Sequence, residues 1–244
     1  MEKKEAREFT GTMTRRESIF ALIWFPMHLF LLPRLAMLLM DRGTISESQA
    51  NLLVYGIGAV YILITCFSFL RKDFDPLCDE PLYCLAQIAM CYCMMMAFNL
   101  CASGILSGIE TLVGHSSEVS NQNNEAILGL AKTDMPSVTA MAVFLAPLTE
   151  EVFFRGAVFG GIRKKNRVAA YAVSMLLFAV YHIWGYAVED PSYWLYLLQY
   201  LPAAFLLCRC YERTNSIWCS IFFHMLVNHV SIKMLMLLEE LYRA

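Results

Sequence analysis

The stretch "PLTEEVFFRG", Pro147 to Gly156, sets two adjacent carboxylates and an arginine inside one of the most apolar regions of the chain. In a soluble protein it would read as a helix start. Thr149 would cap, Glu150 and Glu151 would complement the helix dipole, and Pro147 would lie just upstream. Length argues otherwise. About 11 apolar residues precede the pair and about 11 come after it, and neither half can cross a hydrocarbon core about 30 Å thick at about 1.5 Å per residue. Together they can, so the acids are expected inside a membrane span.

Such placement is costly, about 2.5–3.5 kcal/mol for a central Asp, Lys or Arg on insertion scales, and it marks the residues as functional candidates. The spacing shows how the cost is reduced. Glu151 and Arg155 stand at i, i+4 on one helix face and can pair. Glu150 points about 100° away, which leaves it for another partner.

The rest of the chain agrees with a membrane setting. Of 244 residues, 58% are hydrophobic and only 16% charged, against about 25% charged in a soluble domain. Mean hydropathy is +0.51. A net charge of −2 gives no basic surplus for nucleic acid. Nine cysteines include no C-x-x-C pair and mostly sit in apolar windows, as small packing residues do. No signal peptide is expected, because the first apolar run is too long for one and lacks a small-x-small cleavage site.

Apolar spans are expected near 18–40, 49–70, 82–107, 137–161, 168–187, 192–209 and 215–238. The fold class is therefore all-α: a polytopic membrane helix bundle of about seven transmembrane helices, or eight if the first is split at Pro26 to Pro33. Residues 1–136 would form N-terminal spans and a polar loop, with Ile109 to Met135 as the one sizeable loop. Residues 137–238 would form the core that carries the site. Lys and Arg outside the spans number 13 on one side (five in the N-terminal tail, two, four and two in loops) against four on the other. That bias puts the N-terminus in the cytoplasm.

Partners for Glu150 are few, since the chain has five histidines. His182 in "FAVYHIW" and His224 in "FFHMLVNHV" fall inside later spans, and Asn228 follows His224 at i+4. Counted from the cytoplasmic ends at about 1.5 Å per residue, Glu150, His182, His224 and Asn228 all lie roughly 14–20 Å deep, in one layer. They are expected to converge in a polar pocket. His28 and His115 read as interhelical or loop residues, and His229 is rotated off the face of His224. Phe153, Phe154 and Phe178 read as packing or lipid-facing residues, "CYCMMMAF" reads as packing, and Ser174 has no evident role.

A glutamate beside two histidines and an asparagine can activate a water and stabilise an oxyanion. Glu, His and His can also bind zinc, but the H-E-x-x-H signature is absent. No G-x-S-x-G marks a serine nucleophile.

Three ordered motifs now stand together: E-E-x-x-x-R at Glu150, Glu151 and Arg155, F-x-x-x-H at Phe178 and His182, and H-x-x-x-N at His224 and Asn228. This set resembles the CPBP family of intramembrane proteases, which includes CAAX prenyl endopeptidases and bacteriocin-processing or self-immunity (Abi) proteins. The resemblance covers about residues 137–232. It implies a glutamate-dependent intramembrane endopeptidase, of a group long labelled metalloproteases; no metal and no other cofactor is expected here. Glu150 would be the general base and His182 would position the water. His224 and Asn228 would form the oxyanion hole, with Glu151 and Arg155 supporting. It further implies a peptide or lipidated-peptide substrate, membrane lipid and a membrane-protein partner, and a place in a bacterial cell membrane. The alternative is a non-catalytic membrane scaffold, either a bacteriocin self-immunity protein or a partner of a sensor kinase.

Overall fold

The computed structural model describes residues 8–11, 13–113 and 121–243. The main helices are α1 (Arg15–Asp41), α2 (Glu47–Thr65), α3 (Pro81–Val113), α4 (Gln122–Arg163), α5 (Arg167–Glu189), α6 (Leu197–Thr214) and α7 (Ile217–Arg243). Two short helices, Phe67–Lys72 and Asp75–Asp79, join α2 to α3. No strand occurs among the described residues, so the expected all-α bundle is borne out.

Polar caps mark where the helices begin. Thr14 and Glu17 form a capping box at α1, and Ser46 and Gln49 form another at α2. Asn166 accepts from the Ala169 amide at α5, and Asn121 accepts from the Asn124 amide at α4. The left-handed Asn215 (φ 53°) closes α6.

Six helices, α1 to α5 and α7, are long and apolar enough to cross a membrane, which makes the chain an integral membrane protein. The count differs from expectation at two places. The first span is bent but not split: a π turn at Met27–Leu31 follows Pro26 and absorbs the lost backbone hydrogen bond, so the helix runs on to Asp41. The expected span at 192–209 is a 3-10 turn, Pro191–Tyr196, leading into α6. That helix packs among α3, α5 and α7, with Leu206, Leu207, Cys208 and Cys210 buried. A helix surrounded by protein can carry Gln199, Arg209 and Glu212, which lipid would not tolerate.

The expected loop from Ile109 to Met135 is also largely helical. Helix α3 reaches Val113, and α4 starts at Gln122. Helix α4 breaks at Asp134 (φ −149°, ψ 70°), just ahead of Pro136, and the Asp134 carboxylate accepts from the Ser137 amide to restart it. His115 and the tail 1–7 lie outside the described residues.

Helix α4 is the interior element. Of its most apolar window 72% is buried, against 11–33% for the other five candidate spans. Phe153, Phe154 and Phe178 are all buried, so they pack and none of them faces lipid. Of the nine free cysteines, six are buried, as expected of packing residues. Ser174 has a structural role: its hydroxyl donates to the Phe154 carbonyl at 2.9 Å, tying α5 to α4.

Two contacts hold the rest against this core. Gly58 of α2 lets the buried Trp24 ring of α1 approach, because a Cβ there would meet Trp24 Cζ2 at 2.2 Å. Between α4, α5 and α6, Glu212 of α6 accepts from Arg167 (2.8 Å), Tyr171 (2.8 Å) and Arg163. Burial alone would raise this carboxyl, but the arginine and tyrosine donors outweigh it and hold it at about 2.

We expect Gly58→Ala to force the indole aside and destabilise the protein by about 1–3 kcal/mol, read as a lower melting temperature in detergent; an unchanged value would mean that α1 and α2 do not pack this closely. For Glu212 the folded value lies below the unfolded 4.5. Its stabilisation is therefore complete above about pH 4.5 and lost as pH falls toward 2. The melting temperature of Glu212→Gln should lie below that of wild type by a constant gap from pH 7 to 5, narrowing below 4.5; a gap independent of pH down to 3 would remove the ionic explanation.

Candidate active site

Helix α4 carries Glu150 and Glu151 on a six-residue α-helical segment, Ala146–Glu151, between two π turns, Thr139–Leu145 and Val152–Phe159. Each π turn widens the helix and shifts the register of the residues beyond it, a departure that recurs at functional sites. The i, i+4 pair survives it. Arg155 Nη1 donates to Glu151 Oε1 at 2.9 Å, with both side chains fully buried. Arg155 Nη2 also donates to the Ala204 carbonyl at 3.2 Å, and the guanidinium lies 4.3 Å from the Phe178 ring centroid.

Glu151 has further donors. His224 Nδ1 is 2.9 Å from Oε1, and the Ser220 hydroxyl donates to Oε2 at 2.6 Å. This single carboxylate therefore joins α4 to α7 and fixes the His224 ring. The motif spacing assigns His224 to the Glu150 side alone, whereas it lies between the two acids. Ser220 was not among the expected site residues; its place four residues before His224, on the same face of α7, is the signal that could have found it.

Glu150 is turned the other way. Its Oε2 lies 4.0 Å from His182 Nε2 and 3.9 Å from His224 Nε2. The tautomers are set by the other ring nitrogens. His182 Nδ1 sits 2.8 Å from the Phe178 carbonyl, which can only accept, so Nδ1 carries the proton. His224 Nδ1 faces a carboxylate and likewise donates. In the neutral rings both Nε2 atoms are bare acceptors aimed at Glu150. Separations near 4 Å are too long for direct hydrogen bonds but fit one bridging water at about 2.8 Å from each group.

Glu150, His182, His224 and Asn228 all line one cavity of about 670 Å³. Asn228 donates to the Ala142 carbonyl through Nδ2 at 2.7 Å, which leaves its second N–H for a ligand. Tyr200 stacks on His182, with centroids 4.8 Å apart and planes 27° apart. His229 is exposed and outside the site. The cavity lining also includes the uncharged polar side chains of Asn99, Ser103, Asn121, Asn123 and Gln199. As a zinc shell the set fits poorly, because separations of 3.9 and 4.0 Å exceed the edge of about 3.3 Å that bonds of about 2.0–2.1 Å give in a tetrahedron. Among the described residues no group of three or more His, Cys, Asp or Glu is placed to hold a metal ion.

Comparison with known proteins adds a class to this geometry. Residues 133–230 match the model of the type II CAAX prenyl endopeptidase Rce1-like family. The resemblance read from the three motifs is thus borne out over that segment. The chain is also 31% identical over 133 residues to a Bacillus subtilis protein named "Putative membrane peptidase YdiL", covering 53% of this chain and 49% of that protein. To "UPF0177 protein YxdF" of Lactococcus lactis it is 36% identical over 84 residues, 34% of this chain and 42% of that one. An uncharacterized Mycoplasma capricolum protein is 28% identical over 145 residues, 54% of this chain and 41% of that one. The chain thus spans less than half the length of these curated relatives. No solved structure matches.

Removing one partner of the Glu151–Arg155 pair strands the other charge in the interior, at a cost of about 3–5 kcal/mol. We expect Arg155→Ala and Glu151→Ala each to lower stability by that order, read as a reduced folded yield and a lower melting temperature. Single variants as stable as wild type would show that neither charge depends on the other.

Proposed function

We propose that the protein is an intramembrane endopeptidase in which Glu150 activates a water to hydrolyse a peptide bond. The observation that carries this reading is the convergence of two imidazole nitrogens, His182 Nε2 and His224 Nε2, on one oxygen of Glu150 inside a cavity. A water there donates one hydrogen to Glu150 and the other to His182, so its lone pair is directed outward, toward a substrate carbonyl. The Rce1-like match and the peptidase name of the Bacillus subtilis relative support the reading.

In this mechanism Glu150 takes a proton from the water as the oxygen attacks. Asn228, with one N–H uncommitted, donates to the developing oxyanion. His224 serves the same oxyanion through Nε2 only when that nitrogen is protonated, because its Nδ1 proton is held by Glu151. Glu150 then passes its proton to the leaving amine, and the carbon–nitrogen bond breaks. No metal takes part in these steps. The substrate is a peptide or lipidated-peptide segment that enters from the bilayer. The protein resides in a bacterial cell membrane with its N-terminus in the cytoplasm.

A peptide library offered to purified protein in nanodiscs tests this directly. Cleavage by wild type should fall about 100-fold or more in Glu150→Gln, the range of a lost general base, and should survive treatment with a chelator. Loss on chelation would restore the metal reading. Cleavage unaffected by Glu150→Gln would refute the role of Glu150, and no cleavage by any folded sample would favour the scaffold alternative.

A further inference from the structure

Side-chain contacts define two ends of the bundle. At one, Arg163 at the end of α4 and Arg167 at the start of α5 both donate to Glu212, near the end of α6. The start of α3 joins them through Tyr83, whose hydroxyl donates to the Arg213 carbonyl at 3.2 Å. Ser216, just ahead of α7, donates there to the Asp73 carbonyl at 2.6 Å. At the opposite end, Asn121, just ahead of α4, donates to Gln199 near the start of α6 at 2.7 Å. Lys132 of α4 pairs with Glu239 near the end of α7, and Leu106 of α3 shares a buried cluster with Ala187 of α5.

The cavity that holds Glu150 extends toward the second end only. On α5 its lining runs from Phe178 to Tyr186 and on α7 from His224 to Leu235, with nothing from the first halves of either helix's approach to that layer. On α3 the lining begins at Met95, and on α4 it stops at Glu150. Toward Arg163 the interior is filled instead: Phe154, Phe159, Ile217 and Phe223 are fully buried and line no part of the cavity. Exposure follows the same direction. Glu150 and His224 are buried, whereas Asn124, Gly185 and Ser231 at the far part of the lining are exposed.

The lining beyond the catalytic layer is suited to a peptide backbone. Asn99, Ser103, Asn123 and Gln199 supply amides and a hydroxyl, groups that both donate and accept. The Asn99 side-chain oxygen is buried with no hydrogen-bond partner among the described residues, which leaves an acceptor for a substrate N–H. No Lys or Arg is among the described residues that line the cavity. A terminal carboxylate would therefore be buried there without a cation, at high cost.

We infer that the substrate reaches Glu150 from the extracytoplasmic end, as an internal, uncharged segment of a peptide or membrane protein presented on that side. The packed end carries Arg163, Lys164, Lys165, Arg167 and Arg213, so by the positive-inside rule it faces the cytoplasm and the cavity opens away from it. A segment entering from the bilayer does so through the outer half, and water follows the same route. The substrate class rests on the endopeptidase reading, whereas the direction of access does not.

Direction is read without a substrate. In a variant whose exposed Cys78, Cys93 and Cys101 are replaced by serine, Ala203→Cys places a thiol in the cavity and Lys164→Cys places one at the basic end. A charged methanethiosulfonate should modify Ala203→Cys about 10-fold or more faster in right-side-out bacterial membrane vesicles than in inverted ones, because a fixed charge crosses the hydrocarbon core poorly. Lys164→Cys should show the reverse. Ser231→Cys, at the exposed part of the lining, gives the same reading should Ala203→Cys fail to fold. Modification of the cavity thiol no faster in right-side-out vesicles would overturn the direction of access.

Substrate class is read with a library peptide that wild type cleaves and Glu150→Gln does not. Amidating its C-terminus should change kcat/KM by less than about 2-fold, and Asn99→Leu should raise KM about 2–10-fold at unchanged kcat, as for one neutral hydrogen bond. A loss of about 10-fold or more on amidation, the size of a hydrogen bond to a charged group, would overturn the substrate class. An unchanged KM in Asn99→Leu would remove Asn99 from substrate binding. If Glu150→Gln cleaved as well as wild type, the endopeptidase reading would fail, and the thiol result would still decide the direction of access.

Discussion

The buried ion pair between Glu151 and Arg155 is the interaction on which the rest of the site depends. A guanidinium and a carboxylate fully removed from solvent carry a desolvation penalty that only close geometry and further hydrogen bonds can offset. Here the offsets are specific: the Ala204 carbonyl and the Phe178 ring for the cation, Ser220 and His224 for the anion. Together they link α4 to three other helices. The electrostatic requirement of one pair therefore sets the relative placement of α4, α5, α6 and α7.

The same requirement separates two neighbouring glutamates. Glu151 is committed to structure by three donors, and Glu150, rotated away on the helix, is left facing the cavity. His224 connects the two functions. Its Nδ1 bond to Glu151 fixes the ring, and the fixed ring presents Nε2 toward Glu150. Phe178 plays a comparable part for His182, with its carbonyl setting the tautomer and its ring between Arg155 and the imidazoles.

Much of this was legible in the chain because intramembrane charge is rare. Glu150, Glu151 and Arg155 stood out against their apolar surroundings, and i, i+4 spacing was enough to pair the last two. Depth counting put His182, His224 and Asn228 in the layer of Glu150, and the cavity contains all four. The features that the residues concealed were hidden for physical reasons. Helix α6 is shielded by protein, so its polarity hid it from any lipid-based criterion and its apolar part mimicked a span. The polar stretch after Asn121 carries caps and charges that suit either a loop or a solvated helix, and only packing on α2 and α7 decides. Bent turns escape a fixed 3.6-residue period, so the π turns of α1 and α4 could not be read in advance. Ser220 is a common residue type in spans, and only tertiary contact reveals its partner.

The proposed chemistry requires that Glu150 face water held inside the bundle at bilayer depth. Radiolytic hydroxyl-radical footprinting in nanodiscs measures this without a substrate, because radicals formed from a bound water label the side chains beside it. Modification is expected at Met141 and His182, which line the cavity. Phe159 and Phe223, fully buried and outside it, should remain unmodified. Labelling of the cavity residues no greater than that of Phe159 and Phe223 would contradict it, since a dry cavity offers Glu150 nothing to activate.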